Sequence, residues 1–337
     1  MTGLEETLPV ILALLLGLAV VLYVVLDGFD LGIGMLFFFY PHEHDRDLVM
    51  NSVAPFWDGN ETWLVLGGVT LWTAFPKAFG IILPAMYIPV VVMLLALIFR
   101  GVAFEFRWVA KPRHRAWDWS FAAGSTLAAF SQGLILGGIV QGIPVVNQEF
   151  AGHPLSWLSP FSLMCGAAVV TGYTLLGATW LMLKTSGAVE EKARRLALPL
   201  LAALMAFIVA VSIWTPLMSP RIAQRWFSLP NIFFLAQVPV VTLVFAWLCW
   251  RGIRRNQPIL PFVMAVAIFL LAFLGLVISS IPYIVPPSIT IWQAASHPST
   301  QVFYLIGAAL LIPLILAYTV LVFWLFRGKL KPGEGYH

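Results

Sequence analysis

Six ionisable side chains stand in or beside strongly apolar stretches: Asp27 and Asp30, Asp58 and Glu61, Arg100 and Glu105. A carboxylate inside a membrane span costs about 2.5–3.5 kcal/mol on insertion scales, and such groups face a protein interior or a water-filled path. Asp27 and Asp30 are three residues apart, as are Asp58 and Glu61. On a helix each pair shares one face. Two chemistries fit. Carboxyls spaced along a hydrated seam pass protons inward from one side of the membrane. Alternatively, Arg100 pairs with one of them, and the others cap helices or meet headgroup water. For Asp27, Asp30 and Glu61 both readings stand; helix-end hydration also accounts for Asp27 and Asp30, and Glu105 also reads as an interfacial residue. Asp58 lies about nine residues, or about 13 Å of helix, inside its apolar stretch, so the proton-path reading suits it better.

These side chains need a membrane scaffold. The 337 residues are 61% apolar and 10% charged, against about 45–50% and about 25% in soluble domains, so the solvent of this chain is a bilayer. The net charge of +4 is too small to indicate nucleic acid as a partner, and two cysteines exclude a disulfide scaffold. They also argue against an iron–sulfur cluster, which usually takes four thiolates. Apolar stretches near 20 residues predict nine spans: 8–39, 50–75, 79–105, 118–140, 159–183, 195–217, 231–250, 258–281 and 301–326. The second opens with Asn51, Asp58, Asn60 and Glu61, and a hydropathy window alone would miss it. The chain reads as one polytopic domain, 1–337, with the acids on the spans of 1–115 and apolar spans over 116–337.

Basic residues decide the topology, because positive loops stay cytoplasmic. With nine spans, 15 of the 19 Lys and Arg fall on one face, including Arg46, Arg107, Lys111, Arg113, Arg115, Lys184 and Lys331. The opposite face holds Lys77, Arg221 and Arg225, and Arg100 lies within span three. The N-terminus is then outside and the C-terminus inside, which places all six ionisable groups in the cytoplasmic half. The first apolar run lacks a basic n-region and a small-residue cleavage site, so it reads as a retained span and not a signal peptide. Gly28 and Gly32 form a GxxxG pattern, and Gly133, Gly137 and Gly138 also predict close helix approach.

None of the histidines His42, His44, His114, His153, His297 and His337 lies well inside a span. Membrane haem needs axial ligands at depth and copper favours imidazole, so this chain is expected to bind neither. Met is packing filler, and Cys165 and Cys249 read as inert buried thiols. Trp108, Trp117, Trp119 and Trp157 read as interfacial anchors. Trp57, Trp63 and Trp72 within span two do not fit a belt so easily.

YVVLDGFDLGIGML (23–36), NSVAPFWDGNETWLV (51–65), FRGVAFEFR (99–107) and PYIVPPSITIWQAAS (282–296) together resemble subunit II of the cytochrome bd-type quinol oxidases. The short length and brief outer loops are closer to the cyanide-insensitive branch. The resemblance implies an all-α integral membrane protein of two four-helix bundles plus one peripheral helix. It implies a heterodimer in the bacterial inner membrane whose subunit I holds haems b and d and the quinol site. A small single-span subunit is common, and some members hold a structural quinone. The implied reaction turns two quinols and O₂ into two quinones and two waters. It draws protons for water from the cytoplasm and builds a gradient without pumping. The family's proton route falls on Asp58 of the WDGN motif and on Glu105, where many members have Asp; Asp27, Asp30 and Glu61 are auxiliary, with Arg100, Trp57 and Asn60 in support. Gln293 stands in a WQA triplet where relatives often carry WDA.

Two rivals follow from the same residues. A stand-alone proton-coupled transporter would use buried carboxyls too, but such proteins place sites at the midplane between inverted repeats, and no repeat is visible. A structural scaffold would use the carboxyls only to pair.

Overall fold

The computed structural model describes residues 2–110 and 114–330. Lys111, Arg113, Lys331 and His337, used above for charge and histidine counts, lie outside them. Fourteen helices follow one another among the described residues: α1 Thr2–Leu36, α2 Glu43–Asn51, α3 Trp57–Ala74, α4 Pro76–Ala85, α5 Tyr87–Val109, α6 Arg115–Gln141, α7 Pro160–Lys184, α8 Ala188–Met218, α9 Pro220–Phe227, α10 Asn231–Leu235, α11 Gln237–Arg254, α12 Leu260–Ser280, α13 Ile291–Ala294 and α14 Pro298–Leu325. Two small antiparallel hairpins, Val145–Val146 with Glu149–Phe150 and Tyr283–Val285 with Ile289–Thr290, sit between α6 and α7 and between α12 and α13. By length and composition eight helical segments among the described residues can cross a bilayer, and the count rises to nine when the bent pair α3–α4 is taken as one broken span.

The helices sort as expected. α7, α8, α11 and α12 close a ring in which each packs on the next. In the other bundle α3 and α6 pack on α1, and α5 packs on α6. An ion pair from Arg100 on α5 to Glu61 on α3 completes that ring. α1 against α7 joins the two bundles, and α14 lies outside against α3 and α1.

Small residues make the joins. A Cβ at Gly32 would collide with the Tyr173 carbonyl oxygen, and one at Gly177 would stand 2.5 Å from the Gly32 carbonyl carbon. At Gly137 it would stand 2.6 Å from Ser162 Cα, and at Gly133 2.5 Å from Cys165 O. The expected glycine contacts are therefore the α1–α7 and α6–α7 crossings, where backbones approach through missing side chains.

Two expected boundaries and one expectation about carboxyls are corrected. Span two begins at Trp57, not at 50: α2 stops at Asn51 and residues 52–56 form a turn. Pro55 supplies no amide hydrogen and disfavours helix at Ala54, while the Trp180 indole holds the turn by donating to Ser52 O at 3.2 Å. Span three begins at Tyr87, not 79, because 76–85 belong to α4, bent by 120° from α3. Pro76 breaks that helix, and the Ser296 amide takes up the freed Ala74 carbonyl at 2.9 Å. Span four is not free of carboxyls: Asp118, in the first turn of α6, is 1% exposed.

The α1–α7 crossing is tested by Gly32→Ala, which forces one backbone away. Overpacking of this kind costs about 1–3 kcal/mol, so Tm of the purified protein should fall by several degrees. Gly68→Ala, with nothing within 4 Å, should leave Tm unchanged.

Candidate functional site

Three helices bring their polar residues to one point between α1, α3 and α5. Asp27 and Asp30 come from α1, Asn60 and Glu61 from α3, and Arg100 from α5. Arg100 Nη1 lies 2.8 Å from Asp27 Oδ1 and 2.7 Å from Glu61 Oε1, and Nη2 lies 3.9 Å from Asp30 Oδ2. Asn60 Nδ2 donates to Asp30 Oδ2 at 2.7 Å and to Leu26 O at 3.2 Å. The side chains of Arg100, Asp27 and Asp30 are wholly buried, while 26% of the Glu61 side chain is exposed. Arg100 is backed by the rings of Trp57 and Phe104, each 5.9 Å from its guanidinium carbon. Those rings stack on each other at 4.8 Å. At that range the ring faces add cation–π attraction.

The cluster is under-satisfied. Both Asp27 oxygens, Asp30 Oδ1, and Arg100 Nε and Nη2 are buried without a well-formed hydrogen bond, and so is the Trp63 indole nitrogen. Three carboxyls face one guanidinium, so charge balance away from water calls for protons on the carboxyls.

The other two expected residues stand apart. Asp58 is the second residue of α3 and exposed, not 13 Å into a span. The depth argument for it therefore fails, although an acid in a first helical turn is favoured by the helix dipole. It is one turn from Glu61 and acts on it electrostatically. Glu105 is exposed on α5. Five residues beyond Arg100 is about 140° around a helix, so Glu105 stands on a different face of α5.

A second network was not anticipated. Arg107, wholly buried, donates from Nε to Asp118 Oδ1 at 2.7 Å and from Nη1 to Asp47 Oδ1 at 2.6 Å. Arg46 donates to Asp118 Oδ2 at 3.1 Å and to Tyr40 O at 2.8 Å. His114 Nε2 lies 3.8 Å from Asp118 Oδ2. Burial raises the Tyr40 phenol above its ordinary range, and its hydroxyl donates to Val189 O at 3.3 Å. Counting Arg46 and Arg107 as loop charges hid this. The available signal was the seven-residue spacing of Arg100 and Arg107, which puts both on one helix face.

The remaining expectations sort simply. The described histidines occupy helix ends and loops: His42, His114 and His297 are N-caps, His44 is in α2 and His153 lies between α6 and α7. Gln293 completes a capping box on α13, accepting from Thr290 N at 2.9 Å through Oε1; an amide performs that task without a charge.

The profile of the family described as cytochrome bd terminal oxidase subunit II matches residues 8–326. The chain is 29% identical to cytochrome bd-I ubiquinol oxidase subunit 2 of Escherichia coli (strain K12), over 96% of this chain and 96% of the relative. It is 27% identical to cytochrome bd ubiquinol oxidase subunit 2 of Bacillus subtilis (strain 168), over 92% of this chain and 93% of the relative. Its fold is similar to a chain in the structure of bd oxidase from Geobacillus thermodenitrificans, with a TM-score of 0.75 at 19% identity, covering 95% of this chain and 98% of that one.

Removing the guanidinium tests the cluster. Arg100→Met leaves buried carboxyls without a counter-charge and should cost about 3–5 kcal/mol, read as a lower Tm in detergent. Adding Asp27→Asn should restore part of the loss.

Proposed function

The chain belongs to the cytochrome bd terminal oxidase subunit II family, and from that premise we propose that it is the haem-free subunit that stabilises subunit I and brings it protons from the cytoplasm. As a family member it is a multi-pass membrane subunit of an oxidoreductase complex. The finer reading is a quinol:O₂ oxidase of the bacterial inner membrane, with quinol oxidation and oxygen reduction on the partner. The described residues offer no imidazole inside a span. They do not fit haem ligation at depth, and no haem step is assigned to this chain.

The observation that carries the proton path is graded exposure. Asp58 is exposed, Glu61 half-buried, and Asp27 and Asp30 wholly buried around Arg100. In this reading a proton taken up at Asp58 passes to Glu61 one turn on and exchanges within the Arg100 cluster, with Asn60 and Trp57 holding the acceptors in place. Glu105 serves as a separate surface acid on α5. Exposed acids facing hydrocarbon are costly, so the face of α3 and α5 bearing Asp58, Glu61 and Glu105 is assigned to contact with subunit I. The acids then lie toward the cytoplasm, with the N-terminus outside.

The scaffold reading has one observation in its favour, the direct pairing of Arg100 with Asp27 and Glu61. Family membership displaces the stand-alone transporter. The two surviving readings part on Asp58→Asn in the complex. The proton-path reading expects quinol oxidase turnover to fall at least about tenfold, about 1.4 kcal/mol on the barrier, with haem content unchanged. Full turnover removes Asp58 from the path, and parallel loss of haem and rate favours the scaffold.

A further inference from the structure

Beyond the acids lies a hydrogen-bonded chain that the proton path does not use. Tyr173 on α7 donates from its hydroxyl to Gln132 Oε1 at 2.7 Å, and Gln132 on α6 donates from Nε2 to the Tyr23 hydroxyl oxygen on α1 at 2.8 Å. Tyr23 and Tyr173 are 4% and 2% exposed. Tyr173 is wedged in place, stacked on Phe269 at 5.7 Å and pressed against Gly28, where a Cβ would stand 2.9 Å from its ring. Each donor therefore points toward α1. Tyr23 accepts from Gln132 and keeps its own hydrogen to give. It precedes Asp27 by four residues, so the two share a helix face. Both side chains are buried, and apart from the Arg100 ion pair neither Asp27 oxygen has a hydrogen-bond partner. A buried acceptor of this kind is costly to leave without a donor.

We propose that Tyr23, held by the Gln132–Tyr173 chain, is a positioning residue for Asp27: it presents a hydroxyl hydrogen to the carboxyl one helical turn on and fixes the carboxyl's orientation. This deepens the proton-path reading and rests on it only for the effect on rate. The three links come from α1, α6 and α7, so the chain couples the state of Asp27 to the packing of the two bundles. A bridge that merely tied helices together would leave the vibrational signature of Asp27 untouched.

The experiment uses the purified oxidase complex and infrared difference spectroscopy. Asp27→Asn identifies the carboxyl and carboxylate bands of Asp27 by deleting them. Tyr23→Phe and Gln132→Leu should each shift those bands in the same direction, with Tyr173→Phe giving a smaller shift. Thr126→Ala, which removes a hydroxyl bonded only within α6, should leave them in place. If the bands stay put in Tyr23→Phe, the hydroxyl does not act on Asp27 and the proposal falls. The pH profile of turnover separates the two readings. Displaced profiles in Tyr23→Phe and Gln132→Leu support both. Shifted bands with an undisplaced profile uphold the positioning role and remove Asp27 from the proton path.

Discussion

A guanidinium placed among carboxyls far from water is the constraint that organises the first bundle. Alone at that depth, Arg100 or either aspartate would be prohibitive, because the desolvation of an ion is recovered only by a well-placed opposite charge with further hydrogen bonds. Arg100 and its partners sit on three separate helices, so the pairing exists only when α1, α3 and α5 are assembled. The aromatic backing of Trp57 and Phe104 keeps the guanidinium where its partners can reach it. The arrangement stops short of full satisfaction, since three carboxyls share one cation and neither Asp27 oxygen nor Asp30 Oδ1 has a well-formed hydrogen bond. A fully paired cluster would be inert. One short of charge can exchange protons, and it is the same shortfall that makes both the proton-path and the scaffold readings possible.

Such a cluster demands that helices come close and stay close. Lipid gives helices no hydrophobic reason to associate, so contact depends on packing, small residues and hydrogen bonds. Gly32 and Gly177 let α1 and α7 touch backbone to backbone, and this crossing sets the face of α1 that carries Asp27 and Asp30. The aromatic group of Phe29, Trp180 and Phe262 fills the space beside it, with Phe29 and Trp180 stacked at 4.2 Å. Polar seam and apolar core thus lie on neighbouring faces of one helix.

The ends of the helices are held by a different device. Arg107 and Arg46 share Asp118, and Arg107 also reaches Asp47, so α2 is tied to α5 and α6. At the same end, Lys184 at the end of α7 donates to the Phe326 carbonyl, and Lys329 bonds Glu190 at 2.7 Å, which holds the segment after α14 against the second bundle. These ties orient the turn at 52–56, from which α3 starts, and so they set where Asp58 emerges.

Composition by itself indicated the membrane solvent and the helical class, because a bilayer forces backbone groups to pair within helices and a charge in an apolar run is visible one residue at a time. The i, i+3 pairs and the glycine spacings were equally local, and both proved to mark real faces: Asp27 with Asp30 around Arg100, Gly28 with Gly32 against Tyr173. What no local pattern contains is which face meets which. That Arg100 serves Asp27, Asp30 and Glu61 together, that Arg107 is buried on Asp118, and that Gln132 joins Tyr23 to Tyr173 all depend on contacts between residues far apart in the chain. Depth was the other quantity out of reach. Reading 50–75 as one span passes over the break at Pro55 and the bend at Pro76, which decide that Asp58 stands at a helix start, because a proline changes the path of the backbone without changing the apolarity of the segment.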